Sequence, residues 1–281
     1  MQTSLPPALL ATASGRQADA ILRNCVHCGF CNATCPTYQL TGDELDGPRG
    51  RIYLIKQVLE GNKPTGKTQL HLDRCLTCRA CETTCPSGVD YHLLLDTGRE
   101  LLEQAVPRSL PARLVRRALR MVLPWRARFT PLLRPVQLLR PLLPDAVKKK
   151  IPARSKDRRP RPQQQHARRV LLLTGCVQDA MSPQINAATI RVLDALDIQT
   201  ISRANSGCCG AVSHHLGAAD EALGFMRRNI DAWWPDIEDG VEAVVVTASG
   251  CAPMVKDYGQ LLANDAAYAD KARRVSELAK D

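Results

Sequence analysis

Cys25, Cys28, Cys31 and Cys35 form a run that ends in Pro36, and Cys75, Cys78, Cys81 and Cys85 form a second that ends in Pro86. Both have the spacing C-x2-C-x2-C-x3-C-P, which suits thiolates that cage cubic iron–sulphur clusters. The first three thiolates of a run can wrap one cube. The fourth, expected on the helix that follows, lies too far round and reaches the other cube. The spacing therefore predicts one 4Fe-4S cluster on Cys25, Cys28, Cys31 and Cys85, and a second on Cys75, Cys78, Cys81 and Cys35. Each proline turns the chain away from the cage and has no N–H to leave unpaired. Structural zinc and disulphides are the alternatives. Zinc sites more often use two CxxC pairs or add histidines, rather than a quartet ending in Cys-Pro.

A third constellation is Ser206-Gly207-Cys208-Cys209-Gly210, to which Cys176 and Cys251 are to be added. Neighbouring side chains on an extended strand point to opposite faces, so two adjacent cysteines share a ligand only if the backbone bends. Gly207 and Gly210 supply that freedom. The four thiols Cys176, Cys208, Cys209 and Cys251 are read as a distal iron–sulphur site, with zinc or four packed free thiols as alternatives. His214 and His215 follow as weaker candidates, as ligands, proton relays or ordinary surface residues.

Length and composition set the frame for these sites. A chain of 281 residues suggests two domains, each with its own core. Twelve cysteines without a secretory h-region fit thiolates kept for metal in a reducing compartment. No stretch approaches the roughly 20 apolar residues of a spanning helix. With three Phe and three Trp, the chain is poorly equipped as a stacking platform for single-stranded nucleic acid. The net charge of +10 is unevenly spread: positions 107–169 hold 19 Lys and Arg against Asp145 and Asp157, or +17, leaving −7 elsewhere.

Three segments are expected. Residues 1–106 form a helical module carrying the two quartets. Here Gln17–Arg23 delivers the chain to Cys25, residues 41–51 make a loop, Ile52–Glu60 is a helix, and Val89–Gln104 is a second with Leu93, Leu94, Leu101 and Leu102 on its apolar face. Arg49 and Arg51 are either partners of the cluster surroundings or solvated loop charges. Residues 107–167 form a basic, proline-rich connector, cut by Pro111, Pro124, Pro131, Pro135, Pro141 and Pro144 into short amphipathic helices. It would dock on an anionic membrane or a partner, or pack on its own domains, and positions 148–169 read as a flexible tether. Nucleic acid is disfavoured, since no recognition motif accompanies the charge. Residues 168–281 form an α/β unit with strands at Val170–Leu173, Ile198–Ile201 and Val241–Thr247. Helices are expected at Pro183–Leu196 and Ala218–Trp234, which implies a parallel crossover. Cys176 and Cys251 fall just past strand carboxyl ends, where such sheets bind ligands. The fold class is α+β overall: a helical dicluster ferredoxin domain followed by an α/β parallel-sheet Cys-Cys-Gly domain.

The quartets, the stretches 28–40 and 47–56, and the later Cys-Cys-Gly together resemble the family of glycolate oxidase (glycolate dehydrogenase) iron–sulphur subunits. The wider class includes lactate-utilisation and anaerobic glycerol-3-phosphate dehydrogenase subunits and heterodisulphide reductase. The resemblance runs from about Gln17 to the last residue. It departs in two ways: the class usually carries two Cys-Cys-Gly repeats and this chain one, so a truncated member is expected, and Met254 stands where many repeats end in cysteine. A thioether is a poor iron ligand. The resemblance implies flavoprotein partner subunits, glycolate becoming glyoxylate, electrons passing towards a membrane quinone, and a cytoplasmic location on the inner face of the membrane. No GxGxxG follows a strand, so no flavin is expected in this chain. Two other readings are a subunit of a lactate or glycerol-3-phosphate dehydrogenase, and a cluster-stapled interaction module without redox work.

Overall fold

The computed structural model describes residues 1–149, 151–154, 162 and 164–281. The chain divides into two compact units, Met1–Leu110 and Pro111–Asp281. Much of the expected tether lies outside the described residues.

The first unit is helical. The helix Ala13–Asn24 buries Ala18, Ile21 and Leu22 against Ile52, Ile55 and Leu59 of Pro48–Leu59, and against Leu94, Leu95 and Leu102 of Tyr91–Ala105. These residues recur every three or four positions, so each helix turns one apolar stripe to a shared core. The long helix begins earlier than residues 41–51 as a loop had implied. Glu44–Asp46 is a 3-10 turn, Gly47 is the N-cap, and Pro48 opens the helix, where its missing N–H leaves nothing unpaired. Gly98 allows the Tyr91–Ala105 and Pro48–Leu59 helices to approach, since a Cβ there would sit 2.7 Å from Ile55 Cγ1. Gly98→Ala is expected to cost about 1–3 kcal/mol by overpacking, seen as a lower midpoint in thermal unfolding.

The second unit is a four-stranded sheet in the order β2-β1-β3-β4, where β1 is Arg168–Leu172, β2 Ile198–Ile201, β3 Ala243–Val245 and β4 Ala279–Lys280. All three pairings are parallel, with Val170 opposite both Thr200 and Ala243. Leu171 and Leu172 point to opposite faces and are both fully buried, as a sheet covered on two sides requires. The main core gathers Leu171, Met226, Ile230, Trp233, Val244 and Tyr258. The helices Gln184–Asp194 and Ala219–Glu238 match the expected positions, the second running on through Pro235.

The basic segment differs from expectation at two of its prolines. Pro131 and Pro135 lie inside one helix, Arg126–Leu138, and do not end it. Both are exposed, while Leu133 and Gln137 are buried on the opposite side, so the carbonyls they release are open to water. The helix Leu110–Val122 buries none of its residues: Leu114 is 66% and Val115 59% exposed beside Arg113, Arg116 and Arg117. Among the described residues no helix is long and apolar enough to cross a membrane.

Candidate iron–sulphur sites

The two quartet loops wind in the same way. His27 and Gly29 in the first have positive φ, and so do Thr77 and Arg79 at the equivalent places in the second. Three of these four are not glycine, and such conformations cost of order 1–3 kcal/mol each unless the surroundings enforce them. One turn of helix follows in each, Phe30–Ala33 and Ala80–Thr83. The repeats are tied together by threonines at matching positions: Thr34 donates to the Ala80 carbonyl at 3.2 Å, and Thr84 donates to Thr34 at 3.2 Å. After the fourth cysteines the repeats diverge. Cys35 caps the helix Pro36–Thr41, whereas Cys85 leads into a turn with no helix before Tyr91, so the expected helix is present in one repeat only.

Two adjoining recesses result. One is lined by Cys25, Cys28, Cys31 and Cys85, with Arg49 at its wall, and the other by Cys35, Cys75 and Cys78, with Arg51 and Thr37. Cys81 lines both. The eight thiols thus line two adjoining recesses, with Cys81 on the wall of both.

All twelve cysteines are free. Burial, with the neighbouring Cys25, Cys28 and Cys85, pushes the Cys31 thiol up to about 11. Cys81 is raised further, by burial first and then by Glu82, Cys75, Cys31 and Cys78. Cys25 is raised by burial, against an opposing hydrogen bond from the His27 backbone N–H. Packed so closely, the thiolates repel one another, and a cationic metal centre among them would reverse the sign of that interaction. The donor set is all sulphur and shaped around two adjoining hollows, which fits iron–sulphur clusters.

The walls are braced by charges placed in part by residues that sequence reading passed over. Arg51 is no solvated loop charge: it is 1% exposed, its Nε donates to the His71 carbonyl at 2.7 Å, and both its terminal nitrogens donate to Thr37. Asp46, fully buried, accepts from His71 Nδ1 at 2.9 Å and Arg74 Nη1 at 2.8 Å. Arg49 donates to Glu44 at 2.6 Å. Arg99 donates to the Cys75 carbonyl at 2.9 Å, and the Tyr91 hydroxyl lies 3.7 Å from Cys75 Sγ. Arg49 and Arg51 stood out in the sequence, whereas Arg74 and Arg99 lie in stretches that no local pattern marks.

In the second unit the four remaining cysteines form a row. Cys176 neighbours Cys208, Cys208 neighbours Cys209, and Cys209 neighbours Cys251. The adjacent pair splits: Cys208 packs with Cys176 and Phe225, and Cys209 with the main core. Burial and the neighbouring thiols push Cys208 up to about 12 against a bond from Cys176, and hold Cys176 and Cys209 far above the ordinary thiol range. Gly210 takes the expected left-handed turn, with φ +94°, but Gly207 does not. Gly207 instead supplies space, and its N–H donates to Asn229 Oδ1 at 2.8 Å. Met254, 3% exposed, packs in the main core. His214 and His215 occupy the last turn of Ala211–His215, their rings 5.4 Å apart, outside the row.

Behind the cysteine pair stands a buried polar clamp that the sequence did not disclose. Asn229 Nδ2 donates to the Cys208 carbonyl at 2.9 Å and to Tyr258 at 3.0 Å, and the Tyr258 hydroxyl donates to the Cys209 carbonyl at 2.9 Å. Tyr258→Phe leaves two buried groups short of a partner and is expected to cost about 1–3 kcal/mol, measurable by urea unfolding.

Comparison with known proteins accords with this geometry. The 4Fe-4S dicluster domain family matches residues 21–89, and the Cysteine-rich domain family matches residues 170–256. The chain is 61% identical over all 281 residues to the glycolate oxidase iron-sulfur subunit of Escherichia coli, covering 69% of that protein. The chain belongs to the family of glycolate oxidase iron–sulphur subunits. It is also 32% identical, over 95% of its length, to the probable glycolate oxidase iron-sulfur subunit of Bacillus subtilis, of which it spans 65%. Lactate utilization protein A of Bacillus subtilis aligns over 109 residues only, at 27% identity. No solved structure matches the chain. As a member of this family, the chain is an iron–sulphur protein of an oxidoreductase system, with a dicluster domain preceding a cysteine-rich one.

Proposed function

We propose that the chain is the electron-transfer subunit of a flavin-dependent glycolate dehydrogenase complex, which converts glycolate to glyoxylate. Its partners are flavoprotein subunits, its acceptor side faces a membrane quinone, and the flavin belongs to a partner. The observation that carries this reading is the pair of adjoining thiol recesses sharing the wall of Cys81. Clusters held there supply one-electron exchange with little movement of their cage. The ligand sets are Cys25, Cys28, Cys31 and Cys85 for one, and Cys75, Cys78, Cys81 and Cys35 for the other. Cys176, Cys208, Cys209 and Cys251 form a third iron–sulphur site.

The chain's own residues hold and insulate these sites. The buried Arg51–Asp46–His71 group fixes the wall beside Cys35, and Arg49 sets a cation at the first recess. Hydrogen bonds and solvent access near sulphur set the potential of such centres. The identity over the whole chain favours glycolate over lactate, whose relatives match a much shorter stretch. The exposed apolar and basic faces of Leu110–Val122 support peripheral docking on the inner face of the cell membrane.

Anaerobic addition of glycolate to the purified complex tests the reading. Reduced-cluster signals in electron paramagnetic resonance should appear with glycolate and be absent with glycolate plus the flavin-depleted complex. Reduction by lactate and not by glycolate would reject the substrate assignment.

A further inference from the structure

A cavity of about 530 Å³ opens in the second unit past the carboxyl ends of β1 and β2. Small-molecule sites commonly run from about 300 to 1,000 Å³, and this end of a parallel sheet is where such ligands bind. Its walls come from Trp125 and Arg126, the 174–176 turn after β1, the 202–208 loop after β2, and Arg228 on the Ala219–Glu238 helix.

The charges on these walls are unequal. Three guanidiniums line the cavity, and no carboxylate does among the described residues. Arg126 is already paired with Asp179, and Arg203 grips Asp236, its Nε donating at 2.6 Å. Arg228 has no such carboxylate among the described residues, and its Nε is buried without a hydrogen-bond partner. It lies against two neighbouring rings, 5.0 Å from the Phe225 centroid and 5.3 Å from that of Trp125. Ring faces favour a cation but leave its N–H donors unanswered. Gly207 clears the space beside it, since a Cβ there would stand 2.6 Å from Arg228 Nη2.

A preoriented guanidinium fork with unused donors, beside an aromatic wall, matches a planar oxyanion attached to an unsaturated or apolar body. We propose that this cavity binds a small organic carboxylate, whose carboxylate group is taken by Arg228 and whose body lies along Trp125. The assignment rests on the cavity and its arginine, with Cys176 and Cys208 on the same wall. Those two thiols line the same cavity, so occupancy limits solvent access to them.

Benzoate titrated into the anaerobically purified full chain, followed by calorimetry and tryptophan fluorescence, tests the site. Benzyl alcohol and inorganic phosphate serve as comparators. Saturable benzoate binding is expected, weakened roughly tenfold or more in Arg228→Gln and less in Arg228→Lys, with benzyl alcohol inert and phosphate weaker. If the glutamine variant fails to fold by thermal melting, the lysine variant carries the comparison. Absence of saturable benzoate binding to the unaltered chain, or binding equal in the folded variants, would overturn the site. Benzyl alcohol binding as well as benzoate would remove the role of charge, and phosphate binding more tightly than benzoate would overturn the organic ligand.

Discussion

Cys81→Ser is expected to lower the iron content of the site it ligates and, through the wall it shares, of the other amino-terminal site too, whereas Cys28→Ser should spare roughly half of the iron. Cys28 lines one recess and Cys81 both. Cys81 also feels thiols of both sets, Cys31 on one side and Cys75 and Cys78 on the other. Serine keeps the size but replaces a soft thiolate by a hydroxyl, a poor ligand for a cluster iron. Iron and acid-labile sulphide on anaerobically purified variants give the comparison, with Cys176→Ser as the control that leaves the amino-terminal iron in place. Full iron in Cys81→Ser would show that the shared wall has no part in either site.

Asp46→Asn is expected to destabilise the first unit by about 3–5 kcal/mol, because it removes the charge facing a buried cation. Arg51 Nη2 lies 3.8 Å from the Asp46 carboxylate, and both side chains are almost wholly buried. Asparagine preserves the outline and leaves the guanidinium uncompensated. Burial pushes the Asp46 carboxyl up, but hydrogen bonds from His71 and Arg74 outweigh it and hold the group below its ordinary value. A depressed carboxyl contributes stability that is present above the unfolded value, about 3.9, and is lost as pH falls through the folded one. Unfolding by urea at a series of pH values should therefore show a wide gap between wild type and variant at neutral pH. The gap narrows below about pH 4, where the wild-type carboxylate is protonated too. A gap that stays constant across that range would show that Asp46 acts by shape alone.

The parts of the molecule set by local pattern were readable from the sequence. The two amino-terminal cysteine runs stand out by spacing alone, and the continuous apolar run at Val170–Leu173 and the short β-branched stretch Ile198–Ile201 place two strands where the sheet has them. β4, two residues long at Ala279–Lys280, carries too little pattern to be seen. Pro131 and Pro135 looked like helix breaks because a proline removes a donor, yet on an exposed face the freed carbonyl meets water and the helix runs on. Pro48 looked like part of a loop because a proline that opens a helix and one that prevents it are the same letter. The polar braces, Arg51 with His71, His71 with Asp46, and Asn229 with Tyr258, join residues 20 to 29 positions apart. Nothing in a short window marks such a partner, and folding alone brings it into reach.

The central claim is that the eight cysteines from Cys25 to Cys85 cage two redox-active iron–sulphur cubes. Iron and acid-labile sulphide, assayed on anaerobically purified protein with paramagnetic resonance after dithionite, test it most directly. The account predicts about eight of each per chain from these two sites, a brown protein, and the spectrum of two magnetically coupled centres. Colourless protein, zinc in place of iron, or a sample silent after reduction would contradict it.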